Sequence, residues 1–243
     1  MKHILSFSGG KDSTFLLLEL IRRKYPLDKV VFFDTGWEYP VMYEHIEKCK
    51  KICEENGIEF VTLHSIHCFD ELFQKYSWCG GNCRWGTFYK TYTLDKHSQE
   101  NAKSIVYIGI ASDETERLEK EKADFKRFPL AEWGITEAEC LKGCYDAGFD
   151  WGGMYEYLDR LSCKFCKNKN LKELRNIRKY YPEVWEELKD YQSRTDRPYK
   201  GEGQSVFDLE KRFAFEDERI AHGLSITDRE FHRALKKLLG GDE

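Results

Sequence analysis

Apolar and polar positions alternate between two periods along the first hundred residues. Residues 4–7 (Ile-Leu-Ser-Phe) form a short apolar run that ends in Ser8-Gly9-Gly10-Lys11-Asp12-Ser13, and a helix-type pattern follows from about Thr14 to Lys24. Residues 30–33 (Val-Val-Phe-Phe) form a second such run, closed by Asp34-Thr35-Gly36. Met42, His45, Ile46, Cys49, Ile52 and Cys53 then recur at helical spacing, with Gly57 as the stop signal. Residues 58–63 and 105–110 read as a third and a fourth strand. Alternation of strand and helix predicts parallel strands joined by right-handed crossovers, hence an α/β fold with a doubly wound parallel sheet. Beyond about Pro129 the pattern changes: 136–147, 171–181, 184–191 and 207–220 are helical in period, and 201–203 is a loop. The expected organisation is an α/β domain over residues 1–130 and a mostly helical C-terminal region over 131–243.

Composition narrows the class. The 243 residues are 41% hydrophobic and 15% aromatic, enough for a core, which excludes global disorder. The apolar stretch 15–21 is interrupted by Glu19 and falls short of the roughly 18–20 residues that a membrane helix needs. The first residues run straight into a glycine turn without the apolar core of a secretory signal, so a soluble, cytoplasmic protein is expected. With 39 basic and 43 acidic side chains the net charge is −4, and any attraction to nucleic acid must be local. Nine cysteines, an odd number without a secretory signal, favour metal, redox or packing roles over a disulfide framework.

The segment Ser8-Gly9-Gly10-Lys11-Asp12-Ser13-Thr14 joins a predicted strand to a predicted helix. Its glycines let the backbone approach a ligand, and the helix start offers unpaired N–H groups and a positive dipole end to an anion. Lys11 adds a charge, and Ser8, Ser13 and Thr14 add hydroxyl donors. A Walker A loop would need a glycine where Leu5 stands, and the three-glycine dinucleotide spacing also fails. The six residues Ser8–Ser13 resemble the S-G-G-K-D-S signature of the PP-loop pyrophosphatases. Asp34-Thr35-Gly36 with Pro40, Gly109-Ile110-Ala111-Ser112-Asp113-Glu114 with Arg117, and Phe128-Pro129-Leu130-Ala131-Glu132-Trp133 resemble motifs of the phosphoadenosine phosphosulfate reductase branch. The resemblance spans residues 3 to about 170.

It implies ATP or a related adenine nucleotide bound by Ser8, Gly9, Gly10, Lys11, Asp12, Ser13 and Thr14, with Asp34 and Gly109 lining the same site. Many members cleave ATP between the α and β phosphates, giving an adenylated substrate and pyrophosphate. Lys11 and Asp12 would act at the phosphates, Arg117 near the phosphates or a second substrate. Asp12 or Asp34 would hold Mg2+, a cation that prefers oxygen ligands.

Cys79-Gly80-Gly81-Asn82-Cys83 and Cys163-Lys164-Phe165-Cys166 are spaced so that each pair can direct two sulfurs at one centre. Four thiolates suit a zinc ion or a [4Fe-4S] cluster. Related sulfonucleotide reductases and sulfur-transfer enzymes carry iron–sulfur clusters in comparable regions, while the C-x-x-x-C spacing keeps zinc open. Cys49 and Cys53 read as core, Cys144 shares a stripe with Leu141 and Tyr145, and Cys140 lies peripheral to it. His64-Ser65-Ile66-His67-Cys68 reads as a polar loop, with a second ligand cluster as the alternative. Between residues 160 and 180, Arg160, Lys164, Lys167, Lys169, Lys172, Arg175, Arg178 and Lys179 face only Glu173, about +7 in all. Such a run can grip a phosphate-rich second substrate, RNA or DNA included, or be a solvated helix face complementing the acidic 183–190 stretch.

Reductases of the branch use a cysteine near the C-terminus, and this chain has none after Cys166. The leading expectation is therefore an ATP-using enzyme that adenylates a substrate or transfers sulfur to it. The competitors are a sulfonucleotide reductase or sulfotransferase using Cys68, and a metal-stapled nucleic-acid-binding module regulated by nucleotide.

Overall fold

The computed structural model describes residues 1–79, 83, 88–100, 104–121 and 123–240. Strands β1 (Lys2–Phe7), β2 (Lys29–Asp34), β3 (Glu59–His64), β4 (Ser104–Ile108) and β5 (Lys126–Arg127) form one sheet in the order β3-β2-β1-β4-β5. Every neighbouring pair is parallel, with Leu5 opposite Val30 on one side and Tyr107 on the other. The chain leaves β1 toward β2 and later returns to the other side of β1 with β4. The carboxyl ends of β1 and β4 therefore flank a topological switch point, where open α/β sheets bind ligands. The doubly wound parallel sheet expected from the periodicity is present.

Helix α1 (Lys11–Arg22) buries Leu16, Leu17 and Leu20, and α2 (Pro40–Glu55) buries Met42, His45, Ile46, Cys49 and Cys53, the stripe read from the sequence. Between β3 and β4 lie α3 (Phe69–Tyr76) and α4 (Tyr89–Glu100), followed by α5 (Thr115–Glu121), α6 (Pro129–Glu132) and α7 (Glu137–Asp146). Of these, only α7 was legible in advance. It starts on a capping box in which Thr136 and Glu139 bond each other's backbone N–H. On α7 the buried pair is Cys140 and Cys144, while Tyr145 is exposed, so Cys140 is not peripheral. The fourth strand stops at Ile108 rather than at residue 110. A Cβ on Gly109 would stand 2.8 Å from the Ser13 backbone nitrogen, so the chain turns off where it meets the start of α1. A 3₁₀ turn over Trp151–Glu156 follows α7.

One compact unit comprises residues 1–69 and 84–164, and a second comprises 70–83 and 165–243. The second unit is helical, with α8 (Leu171–Tyr180), α9 (Pro182–Ser193), α10 (Val206–Ala221) and α11 (Arg229–Leu238) around Leu174, Ile177, Trp185, Phe213 and Phe231. Asn170 with Glu173 and Ser205 with Asp208 form capping boxes at the starts of α8 and α10. Among the described residues no helix is long and apolar enough to cross a membrane.

Candidate active site

The segment between β1 and α1 is held in shape by its own hydroxyls. Ser13 Oγ accepts the Ser8 N–H at 3.2 Å, lies 3.0 Å from Ser8 Oγ, and donates to the Gly10 carbonyl at 3.1 Å. Gly9 sits at φ +77°, and a Cβ there would fall 2.8 Å from Met42 Cε and 2.9 Å from Ile46 Cδ1, so both conformation and packing call for glycine. Thr14 is fully buried, its hydroxyl 2.9 Å from His45 Nε2. It supports the loop from behind rather than lining an open surface. Burial, with Lys48 adding to it, pushes the His45 pKa down to about 4, so the ring is neutral. Among the described residues, nothing accepts the N–H groups of Gly9, Asp12 and Ser13. These are the donors that an anion at a helix start uses.

Charge converges on Lys11, which is only 8% exposed. Its ammonium lies 2.6 Å from Glu137 Oε1 and 3.2 Å from Asp12 Oδ2. Burial alone would lower the lysine's pKa, but the two carboxylates outweigh it and hold the group protonated. Burial lifts the Asp12 carboxyl, against the pull of Lys11. Asp12, Glu114 and Glu137 bring carboxylate oxygens within 4.8 Å of one another, and Asp12 Oδ1 is buried without a hydrogen-bond partner among the described residues. An all-oxygen donor set with an unsatisfied oxygen fits a hard divalent cation. Glu114 also accepts the Ala111 N–H at 3.0 Å and pairs with Arg117 at 2.9 Å. Asp113 accepts the Glu137 N–H, which ties the start of α7 to the end of β4.

Asp34, at the carboxyl end of β2, accepts the Gly36 N–H at 2.8 Å and the Tyr43 hydroxyl at 3.0 Å, and lies 3.6 Å from His64 Nδ1. Cys68 is exposed in the loop after β3. Cys79 is buried, and Cys83, Cys163 and Cys166 are partly buried. Cys79, Cys83 and Cys166 belong to the second unit and Cys163 to the first. The insert Gly80-Gly81-Asn82 and Arg84 lie outside the described residues. Within the second unit, Lys167 donates to the Cys79 carbonyl at 2.7 Å and Tyr199 to the Cys166 carbonyl at 2.6 Å, so segments 88 residues apart meet beside the cysteines. In the basic stretch, Arg175 pairs with Glu216, and Arg178 with Glu210 and Asp217. Their complement is α10, not the 183–190 stretch.

Sequence reading missed Glu137, His45, Trp151 and Tyr155 as parts of this site. Tyr155 accepts the Lys11 N–H at 2.8 Å, and the Trp151 indole donates to the Gly9 carbonyl at 2.9 Å. Glu114 stands inside the Gly109–Glu114 motif. The other four carried no local signal, apart from His45 as a polar residue on an apolar stripe.

A glycine-bearing loop at the switch point of a parallel sheet, with lysine and carboxylates at the helix start, fits an α/β protein of the PP-loop ATP pyrophosphatase superfamily. Residues 2–137 match the phosphoadenosine phosphosulfate reductase domain family, and the chain belongs to that family. An uncharacterized protein of Methanocaldococcus jannaschii is 24% identical over 208 residues, which cover 75% of this chain. The chain spans 40% of that relative's length. Among solved structures, the U34-tRNA thiolase NcsA from Methanococcus maripaludis with its [4Fe-4S] cluster superposes with a TM-score of 0.48 at 17% identity, covering 94% of this chain and 76% of that one. The NH3-dependent NAD synthetase of Campylobacter jejuni gives a TM-score of 0.39 at 13% identity, covering 98% and 83%.

Proposed function

We propose that this chain is an ATP-using enzyme that activates a substrate by adenylation or transfers sulfur to it. The observation that carries the reading is the convergence of Lys11, Asp12, Glu114 and Glu137 beside the available N–H groups of the loop. A nucleophile on the acceptor attacks the α-phosphorus, the bond to the bridging oxygen breaks, and pyrophosphate leaves with that electron pair. Lys11 and the loop amides neutralise the charge growing on the leaving group. Asp12, with Glu114 and Glu137, is suited to hold the Mg2+ that accompanies the nucleotide. Arg117, carried on Glu114, faces the phosphates or the second substrate. On the spacing of the two pairs alone, Cys79, Cys83, Cys163 and Cys166 would be the ligands of a metal centre. A [4Fe-4S] cluster there would supply redox or sulfur-handling chemistry, and zinc a closed structural tie. With Arg175 and Arg178 paired internally and Lys169 buried, any grip on a phosphate-rich substrate falls to exposed residues such as Lys172 and Lys179.

The test is product analysis with ATP, Mg2+ and fractionated acceptor pools under anaerobic conditions, with iron, zinc and sulfide measured on the same sample. AMP with pyrophosphate, lost in Lys11→Ala, is the expected result. ADP with phosphate, or no nucleotide binding, overturns the reading. Sulfonucleotide reduction is a second reading, favoured by the exposed thiol of Cys68. It predicts that Cys68→Ser abolishes turnover of a sulfonucleotide and spares metal content.

A further inference from the structure

The Gly9–Gly10 peptide is the one link of this loop with glycine on both sides. Glycine on both sides lets a peptide plane rotate at little steric cost, exchanging its carbonyl and N–H directions. One orientation presents a donor to an anion, and the flipped one presents an oxygen that repels it. Among the described residues the Gly10 N–H is met only by Ser8 Oγ at 3.4 Å, at the edge of hydrogen-bonding range. It therefore adds little to hold the plane.

The carbonyl end of the same peptide is held firmly. Trp151, 2% exposed, donates its indole N–H to the Gly9 carbonyl at 2.9 Å. Trp151 itself adopts φ +50°, followed by Gly152 at +61° and Gly153 at +76°. A bulky residue in the left-handed region is an outlier that surrounding structure must enforce. Here Asp150 accepts the Gly152 N–H at 3.1 Å, and the indole packs on His45 and Tyr155 at centroid distances of 4.6 and 4.9 Å. The strained turn aims one polar atom of a buried ring at one carbonyl. Because a trans peptide directs its N–H opposite to its C=O, a carbonyl held toward Trp151 keeps the Gly10 N–H turned away from it.

We propose that Trp151 is a positioning residue that latches the Gly9–Gly10 peptide in its anion-accepting orientation and so sets the affinity of the loop for nucleotide phosphates. The inference rests on the reading of this loop as the nucleotide phosphate site. Its test compares ATP and adenosine binding by calorimetry in four proteins: wild type, Trp151→Phe, Gly10→Ala and the double variant. Phenylalanine keeps a buried ring and loses the N–H. Alanine at residue 10, whose φ is −77°, suits the present orientation and disfavours the positive φ that a flip would need.

The expected result is that Trp151→Phe lowers the ratio of adenosine to ATP dissociation constants about tenfold with adenosine affinity unchanged. In the Gly10→Ala background the same substitution should cost less than about threefold, since the flip is already blocked. An unchanged ratio, parallel losses for ATP and adenosine, or equal cost in both backgrounds overturns the latch. A wild-type ratio near one overturns the phosphate role of the loop itself, and is thereby distinguished from failure of the latch alone. Near-UV circular dichroism checks that each variant is folded. If Trp151→Phe is not folded, replacing tryptophan by benzothienylalanine, which lacks the N–H, supplies the same comparison.

Discussion

Replacing Glu137 by glutamine keeps an oxygen within reach of the Lys11 ammonium and removes one negative charge. In the wild-type protein Lys11 and Arg117 face Asp12, Glu114 and Glu137, two cations against three carboxylates. A phosphate arriving without a divalent cation must share the Lys11 ammonium with Glu137 and sit near its carboxylate. A phosphate oxygen sharing Lys11 with Glu137 would lie about 6 Å from the carboxylate, and at an effective dielectric of about 40 that repulsion is about 1.4 kcal/mol per unit charge. Glu137→Gln should therefore tighten Mg2+-free ATP binding about tenfold and shrink the enhancement that Mg2+ gives. Folding stability should fall by only about 1 kcal/mol, because the Glu137 side chain is 44% exposed and solvent screens the pair. Calorimetric titration of ATP with EDTA and with Mg2+ reads both effects, and urea unfolding reads the third. Unchanged metal-free affinity together with undiminished Mg2+ enhancement would refute the view that Glu137 competes with phosphate for Lys11.

Three further predictions concern the scaffold. The unfolded chain takes up the His45 proton near the ordinary value of 6.5, whereas the folded protein resists protonation until about 4. The unfolded state binds more protons in that window, so stability is complete above pH 6.5 and falls by about 3 kcal/mol on acidification to 4. His45→Gln should flatten this part of the pH profile of thermal unfolding, and an unaltered slope would argue against a buried neutral ring. Gly143→Ala places a Cβ 2.0 Å from Phe15 Cε2 where α1 and α7 pack, and should cost about 1–3 kcal/mol in urea unfolding, partly recovered by Phe15→Leu. Glu216 is fully buried between Arg175 and Arg212 at 2.7 and 2.8 Å, so removing both arginines leaves an unpaired buried charge at a cost of about 3–5 kcal/mol. If Arg175→Ala with Arg212→Ala instead weakens polyanion binding and leaves stability intact, those arginines are an interface and not an internal pair.

The hydrophobic pattern of the first hundred residues determined the parallel sheet, because strands buried on both faces, such as β2, leave continuous apolar runs, and the helices between them bury one face and leave a helical repeat. The loop between β1 and α1 was legible as a candidate for a related reason: an anion site at a helix start is built from consecutive residues, so Ser8–Ser13 would display its chemistry without a partner. Short or weakly patterned elements escaped. β5 has two residues, too few to show a period, and the sequence of α4 (Tyr89–Glu100) has little helical periodicity.

Tertiary packing alone decided what surrounds the loop. Glu137, Trp151 and Tyr155 reach Lys11 and Gly9 from 126 to 144 residues away. Each is an ordinary residue in its own neighbourhood, and its meaning comes from α7 packing on α1 through the close contact of Gly143 with Phe15. The same holds for Arg175 and Arg178, whose charge in the sequence suits an open patch and a helix face complementing 183–190 equally, and which the fold pairs with Glu216, Glu210 and Asp217 of α10. Local composition states which charges a segment carries. Which of them remain available to a ligand depends on partners that only the folded chain brings within a few ångströms.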